Sequence, residues 1–221
     1  MNMPERNDPC WCGSGKKWKK CHAPDTGPKE LIIKEKYKKS FGILIKTKDE
    51  IEGITRACQV AKEILQKVAK RALAGVTTNE LDAYAKELHE QYGAIAAPLN
   101  YGHPPFPKSI CTSKNEVICH GIPNDEPLKE GDILNIDVTS IVDGYYGDCS
   151  VMVCIGVVSE EKQRVVDVSF ECLEKAIEIL KPGLLVSEIG KVISDHAEKR
   201  GCSVVHQFVG HGTGVLFHEP P

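Results

Sequence analysis

The chain has 221 residues, 41% apolar and 27% charged side chains, and a formal net charge of −3, which is enough for one medium hydrophobic core plus a small appendage. No apolar run approaches 18 residues, so no helical membrane span is expected. The opening MNMPERNDPCWCGSGKKWKK has no apolar stretch behind its charges, so no secretory signal is expected and the compartment is taken as the cytoplasm.

Residues 1–48 hold 12 Lys and Arg against 5 Asp and Glu, and the remainder holds 16 against 26. A basic head on an acidic body suggests a polyanionic partner for the head, the alternative being a solvated lysine-rich linker. Three of the ten cysteines, Cys10, Cys12 and Cys21, cluster in the head beside His22. Three thiols and an imidazole make a tetrahedral zinc set, the alternative being a redox or adventitious cluster. The other seven cysteines sit among apolar neighbours and read as small buried hydrophobes of a reducing compartment. Between the zinc candidates, GSGKKWKK supplies a tight turn and a basic patch of Lys16, Lys17, Lys19 and Lys20 around Trp18. The patch is suited to face ribosomal RNA. Residues 1–24 are read as a zinc knuckle too small to fold without its metal, and 25–48 as a polar linker and lead-in.

Helical periodicity begins near Asp49, where Thr47 and Glu50 fit a capping box. Ile51, Ile54, Cys58, Ala61, Leu65, Val68 and Ala72 form one predicted face, and Gly75 is the predicted stop. Thr77 and Glu80 open a second helix that runs to Gly93. A shift of 108 residues lays VAKEILQKVAKRALAG (60–75) on VSFECLEKAIEILKPG (168–183) and pairs Glu80 with Glu188 and Gly93 with Gly201. Matching glycine stops, capping acids and apolar faces indicate a duplicated helical pair.

Strand signals fill ILNIDVTSIV and YYGDCSVMVCIG, with Asp143-Gly144 as a two-residue hairpin turn. That turn sets Asp137 opposite Ser150 and Asp148 opposite Thr139. The two carboxylates then become diagonal neighbours on one face, within reach of a shared ion. The face reads Ile133, Asn135, Asp137, Thr139, Asp148 and Ser150. Leu134, Ile136, Val138, Val151, Val153 and Ile155 form the opposite, apolar face. Two ionised carboxylates so placed call for a cation or a proton between them. His120 in CHGIP, His211 in GHGTG and His218 in FHEPP are candidates to bind a metal or to hydrogen-bond a developing oxyanion. His89, His196 and His206 are read as structural. A complete duplication would place a second hairpin near 239–264, beyond Pro221, so that hairpin is expected to be absent from this chain.

NEVICHGIP, the stretch from NIDVT through DGYYGDCS, and GHGTGVLFHEPP together resemble the type I methionine aminopeptidases over roughly residues 41 to 221. The resemblance implies an α/β (α+β) duplicated pita-bread fold over 49–221, its second half incomplete. Asp137 then resembles the carboxylate that chelates one metal, Asp148 the bridging carboxylate, and His211 the imidazole on the other metal of a dimetal site. His120 and His218 resemble the histidines that contact the substrate amine and the scissile carbonyl. The resemblance further implies a nearby monovalent cation held by the backbone carbonyls of Asn115 and Val117. It also implies a methionine pocket lined by Tyr101, His103 and Phe106, in a loop that departs from the commonest pattern. CWCGSGKKWKKCH resembles the SEC-C knuckle, which implies one structural zinc on Cys10, Cys12, Cys21 and His22.

The activity implied is removal of the initiator methionine from nascent polypeptides, with a small second residue preferred and Co, Mn, Fe or Zn as the active-site metal. The ribosome is the partner expected through the basic knuckle, with no membrane association and a monomeric state. Two further glutamate ligands are expected beyond Pro221, and without them the chain is expected to be inactive; Glu219 is not a ligand. The rival readings are a non-catalytic pita-bread protein that binds nascent chains and a relative of prolidase or creatinase. Retention of all five of Asp137, Asp148, His120, His211 and His218 disfavours the first, and the CHGIP and GHGTG contexts disfavour the second.

Overall fold

The computed structural model describes residues 7–10, 14–21 and 29–220. They fall into two units, Met1–Thr47 with Glu219–Pro221, and Lys48–His218.

In the first unit Pro9 bridges Lys17. The Cys10 N–H donates to the Lys16 carbonyl at 2.9 Å, and the Trp18 N–H to Asp8 at 2.8 Å. This closes a small loop over Gly15, whose φ of +70° suits a residue without a Cβ. Helix α1 (Trp18–Cys21) follows, with Ser14 Oγ 3.1 Å from Cys21 Sγ. Of the four proposed zinc ligands, Cys10 is buried and Cys21 half-buried; Cys12 and His22 lie outside the described residues. Lys16, Lys17 and Lys20 are exposed. Trp18 is not the exposed aromatic expected of the basic patch: it is 7% exposed and packs inward, since a unit this small needs its large apolar side chains for a core. Part of the segment read as a polar linker is helix α2 (Lys29–Phe41), with Lys38 and Lys39 favourably placed in its last turn. Lys46 ion-pairs with Glu219, whose side chain is buried.

The second unit runs α3 (Lys48–Ala69), α4 (Thr78–Gln91), β1 (Ile95–Ala96), β2 (Cys111–Lys114), β3 (Ile133–Val142), β4 (Tyr145–Cys154), α5 (Glu160–Glu178) and α6 (Val186–Lys199). The sheet is antiparallel around β3: β4 pairs along its whole length, β2 along residues 134–137 and β1 at 140–141. Asp143 and Gly144 both take positive φ, +50° and +83°, as a type I′ turn demands. Asp137 pairs with Ser150, and Thr139 with Asp148, the register the turn predicts. The apolar face is buried at Leu134, Ile136 and Val138 under Ile64, Leu65 and Val68 of α3 and Leu81, Ala85 and Leu88 of α4. Val151 departs from the expected buried set. It is 38% exposed, on a strand that, among the described residues, pairs only with β3.

Two predictions for α3 need correction. The helix ends at Ala69, six residues before Gly75; the Gly75 N–H instead donates to the Leu128 carbonyl at 2.8 Å. The buried stripe begins at Gly53 and Ala57, while Ile51 and Cys58 are exposed. Size explains the offset. A Cβ on Gly53 would sit 2.3 Å from the Tyr145 ring, and a Cβ on Gly147 would sit 2.2 Å from the Ala57 backbone. Helix and strand cross so closely that only small residues fit, and hydrophobicity alone mislocates the face.

The duplication appears in backbone angles. Gly75 and Gly183 have φ of +89° and +88°, and Gly93 and Gly201 have +62° and +72°. Val168, Cys172 and Ala197 form the core of the second pair. The capping acids do not correspond in role. Thr77 and Glu80 form a full capping box, whereas Leu185 stands at the equivalent cap with no side-chain bond, so Glu188 has no hydroxyl partner there. His89 is structural, as expected: its Nδ1–H donates to the Ala85 carbonyl at 2.8 Å, and Nε2 lies 2.9 Å from Ser140 Oγ. Burial, the main cause, holds its pKa below the ordinary histidine value.

Candidate active site

Pairing β3 with β4 puts Asp137 and Asp148 at the base of a cavity of about 300 Å³ that His120, His211 and His218 also line. All five residues singled out by the sequence therefore converge. Each arrives differently. The aspartates ride the hairpin, where the two-residue side-chain period brings them to one face. His120 sits in a turn with φ of +54°. The following Gly121 donates its N–H to Ser113 Oγ and accepts from the Thr112 N–H. A Cβ on Gly121 would lie 2.1 Å from the Thr112 carbonyl oxygen. The 211–218 segment is pinned by the Tyr146 N–H, which donates to Gly214 at 2.8 Å, and by Phe217 stacked on Tyr146 at 5.8 Å.

The carboxylates are the electrostatic centre. Burial pushes Asp137 up to about 7; the Asp148 charge and a hydrogen bond between the two carboxyls act the same way, and His211 opposes them. Thr139 Oγ donates to Asp148 Oδ1 at 3.0 Å, which orients the carboxylate and leaves Oδ2 3.9 Å from His211 Nε2. His211 Nδ1 lies 2.9 Å from the Gly212 carbonyl, which only accepts. Nδ1 therefore donates, and in the neutral ring this leaves the Nε2 lone pair for a metal, the tautomer a metal ligand needs. Burial pushes the Cys111 thiol up to about 12, with the two aspartates adding to the effect, so it stays a protonated wall residue. Burial likewise lowers the pKa of His218, and neighbouring His211 lowers it further.

Among the described residues, no three His, Cys, Asp or Glu side chains converge tightly enough to hold an ion as they stand. The donor set nevertheless suits a divalent cation. Burial and the neighbouring Asp148 together push Asp137 up to about 7, a cost a bound cation would relieve, and the His211 imidazole lies beside the pair.

Tyr101 and Phe106 line the cavity, together with Pro104 and Phe217. His103 does not, and its Nδ1 faces the Gly102 carbonyl at 3.3 Å. Residues 102–105 form a loop between Tyr101 and Phe106, closed at its neck by the Phe106 N–H, which donates to the Tyr101 carbonyl at 2.8 Å. Asn115 spends its side chain on Asp132, the Ile133 N–H and Lys162, so a cation there would have only the backbone carbonyl. Val117 is exposed.

Asp82 carries no motif that marks it in the sequence. Its carboxylate accepts the N–H groups of Ser109 at 2.7 Å and Ile110 at 3.2 Å and anchors the end of the pocket loop. The available signal was an acid inside the apolar stripe of α4. Asp82→Ala would orphan two buried donors. It is expected to cost about 2–3 kcal/mol and lower the melting temperature by roughly 5–10 °C, as differential scanning calorimetry would show.

Comparison with known proteins decides the family. The family model for metallopeptidase family M24 matches residues 52–221. A methionine aminopeptidase of Chlamydia trachomatis is 60% identical over 218 residues, covering 98% of this chain and 75% of that protein. The chain belongs to the methionine aminopeptidases of family M24. It is thus a metal-dependent peptidase, and family membership implies a dimetal active site. The crystal structure of the methionine aminopeptidase from Rickettsia prowazekii superposes with a TM-score of 0.78 at 45% identity, covering 81% of this chain and 71% of that one. That likeness supports the pita-bread fold. A prolidase from Pyrococcus furiosus, 23% identical with a TM-score of 0.71, shares the fold alone. A SEC-C motif model matches residues 6–24. Among the described residues, no helix is long and apolar enough to cross a membrane.

Proposed function

We propose that the protein removes the initiator methionine from nascent polypeptides, with a small second residue preferred, as a cytoplasmic monomer. The observation that carries the reading is the hairpin carboxylate pair facing three histidines across one cavity. Asp137 would hold one divalent ion and His211 Nε2 the other, with Asp148 shared between them, and the bound ions would supply an activated water and polarise the scissile carbonyl. His120 and His218 hydrogen-bond the substrate amine and the developing oxyanion. Tyr101, Pro104 and Phe106 receive the methionine side chain. The backbone carbonyls of Asn115 and Val117 hold a monovalent cation. Co, Mn, Fe and Zn all suit these ligands.

The direct assay is methionine release from Met-Ala-Ser by the full-length protein with each of the four metals. Turnover with at least one is expected, and none with any would sink the enzyme reading.

At the front, Cys10, Cys12, Cys21 and His22 bind one structural zinc, and the exposed Lys16, Lys17 and Lys20 dock on ribosomal RNA. Reversing these three charges to Glu is expected to weaken ribosome association and reduce its salt slope by about three. Unchanged co-sedimentation across a salt titration would end the docking idea.

A further inference from the structure

Tyr101 and His218 stand 117 residues apart in the chain, yet Tyr101 Oη lies 2.8 Å from His218 Nδ1. Nothing in the assigned roles accounts for that bond. A wall residue of an apolar pocket needs only its ring, and a phenylalanine would serve. The bond occupies the imidazole nitrogen that decides what the other nitrogen can do. A phenol is a stronger donor than a neutral imidazole N–H, and an imidazole nitrogen is a stronger acceptor than a phenol oxygen. The favoured arrangement is therefore O–H···Nδ1, which leaves the proton of neutral His218 on Nε2.

We propose that Tyr101 is a positioning residue that fixes His218 as the Nε2–H tautomer, so that the imidazole is a hydrogen-bond donor towards the reacting carbonyl. This deepens the peptidase reading and rests on it for the identity of the acceptor, but the tautomer itself does not depend on turnover.

The surroundings are built to hold this geometry. Tyr101 is fixed at the neck of its loop by two backbone bonds, its N–H to Pro98 at 3.0 Å and its carbonyl from Phe106 at 2.8 Å. Phe217 packs against the Tyr101 ring at 4.7 Å and stacks on the His218 ring at 4.4 Å, 23° from parallel. Phe217 also stacks on the Tyr146 ring at 5.8 Å. The imidazole therefore has one face covered and one nitrogen committed. A donor preset before substrate arrives needs no reorganisation as charge develops on the oxygen. In the opposite tautomer Nε2 would present a lone pair to that oxygen and repel it.

The test uses the protein labelled with ¹⁵N-histidine, without metal, in its own form and as Tyr101→Phe, which deletes only the hydroxyl. Long-range ¹H–¹⁵N correlation reads the protonation of each ring nitrogen. His218 is expected to show Nε2 protonated and Nδ1 as a hydrogen-bonded acceptor. In Tyr101→Phe its two nitrogen shifts should move towards each other as both tautomers are populated. A protonated Nδ1 in the parent, or an unchanged pattern in the variant, overturns the proposal. Kinetics of the full-length metal-loaded enzyme give a second reading: kcat for Tyr101→Phe should fall about tenfold, with KM changed less than about twofold. A rise in KM with kcat intact would make Tyr101 a pocket wall only and also overturn the proposal. The nitrogen spectrum decides the tautomer even if no peptide is turned over, so failure of the peptidase reading and failure of this one are told apart.

Discussion

Asparagine at position 137 is expected to lower kcat/KM for methionine release by a thousandfold or more, on the order expected when a ligand rather than its support is lost. It should also make the metal-free protein more stable. The Asp137 carboxyl is pushed up to about 7 from an ordinary 3.8, first by burial and then by Asp148. A carboxyl whose pKa is raised on folding costs nothing below its unfolded value. It removes stability progressively as pH rises to the folded value. The stability gap between Asp137→Asn and the parent should therefore open between about pH 4 and pH 7 and reach a few kcal/mol. Thermal melts of both proteins in chelator across that range measure it, and a gap independent of pH would refute burial of the carboxylate as its cause. Added Mn²⁺ or Co²⁺ should raise the melting temperature of the parent and do much less for the variant.

Alanine at position 147 should do the reverse, harming the fold before the chemistry. Its Cβ would lie 2.2 Å from the Ala57 carbonyl carbon and 2.3 Å from the Cys58 nitrogen. These are backbone atoms inside a 22-residue helix and have no rotamer to give. Relief requires α3 to lift from β4, at a cost of about 3 kcal/mol or more. The melting temperature should fall by roughly 10 °C. A shift under about 2 °C in calorimetry would mean that helix and strand are less tightly pressed than the geometry states.

The parts of this protein that are legible in its sequence are those set by short-range arithmetic. A two-residue turn and a two-residue side-chain period determine every partner in the β3–β4 hairpin, so the carboxylate pair can be placed from Asp143-Gly144 alone. The 108-residue repeat works in the same way, since glycines at matching positions impose matching backbone angles. Contacts between distant segments have no such rule. Which face of α3 is buried depends on the tightness of its crossing with β4, and hydrophobicity points to Ile51 and Cys58 instead. Asp82 and the Tyr101–His218 bond join segments far apart in the chain, and no periodicity announces them. The charge of its neighbours puts Trp18 on a surface patch, although the size of the unit requires it inside. The family resemblance puts His103 in the pocket, whereas Tyr101, Pro104 and Phe106 line the cavity and His103 does not.

The bare backbone at Gly147 also determines which hairpin can form. Slipping β4 by one residue along β3 would turn Asp148 into the core, and burial forbids it. A slip of two leaves every side chain on its proper face, so polarity does not oppose it. It would, however, bring Tyr145 or Cys149 to the point where Ala57 leaves no room for even a methyl group. One missing side chain thus excludes the error that hydrophobic patterning tolerates, and it keeps Asp148 diagonal to Asp137 rather than directly opposite it or beside Ile141.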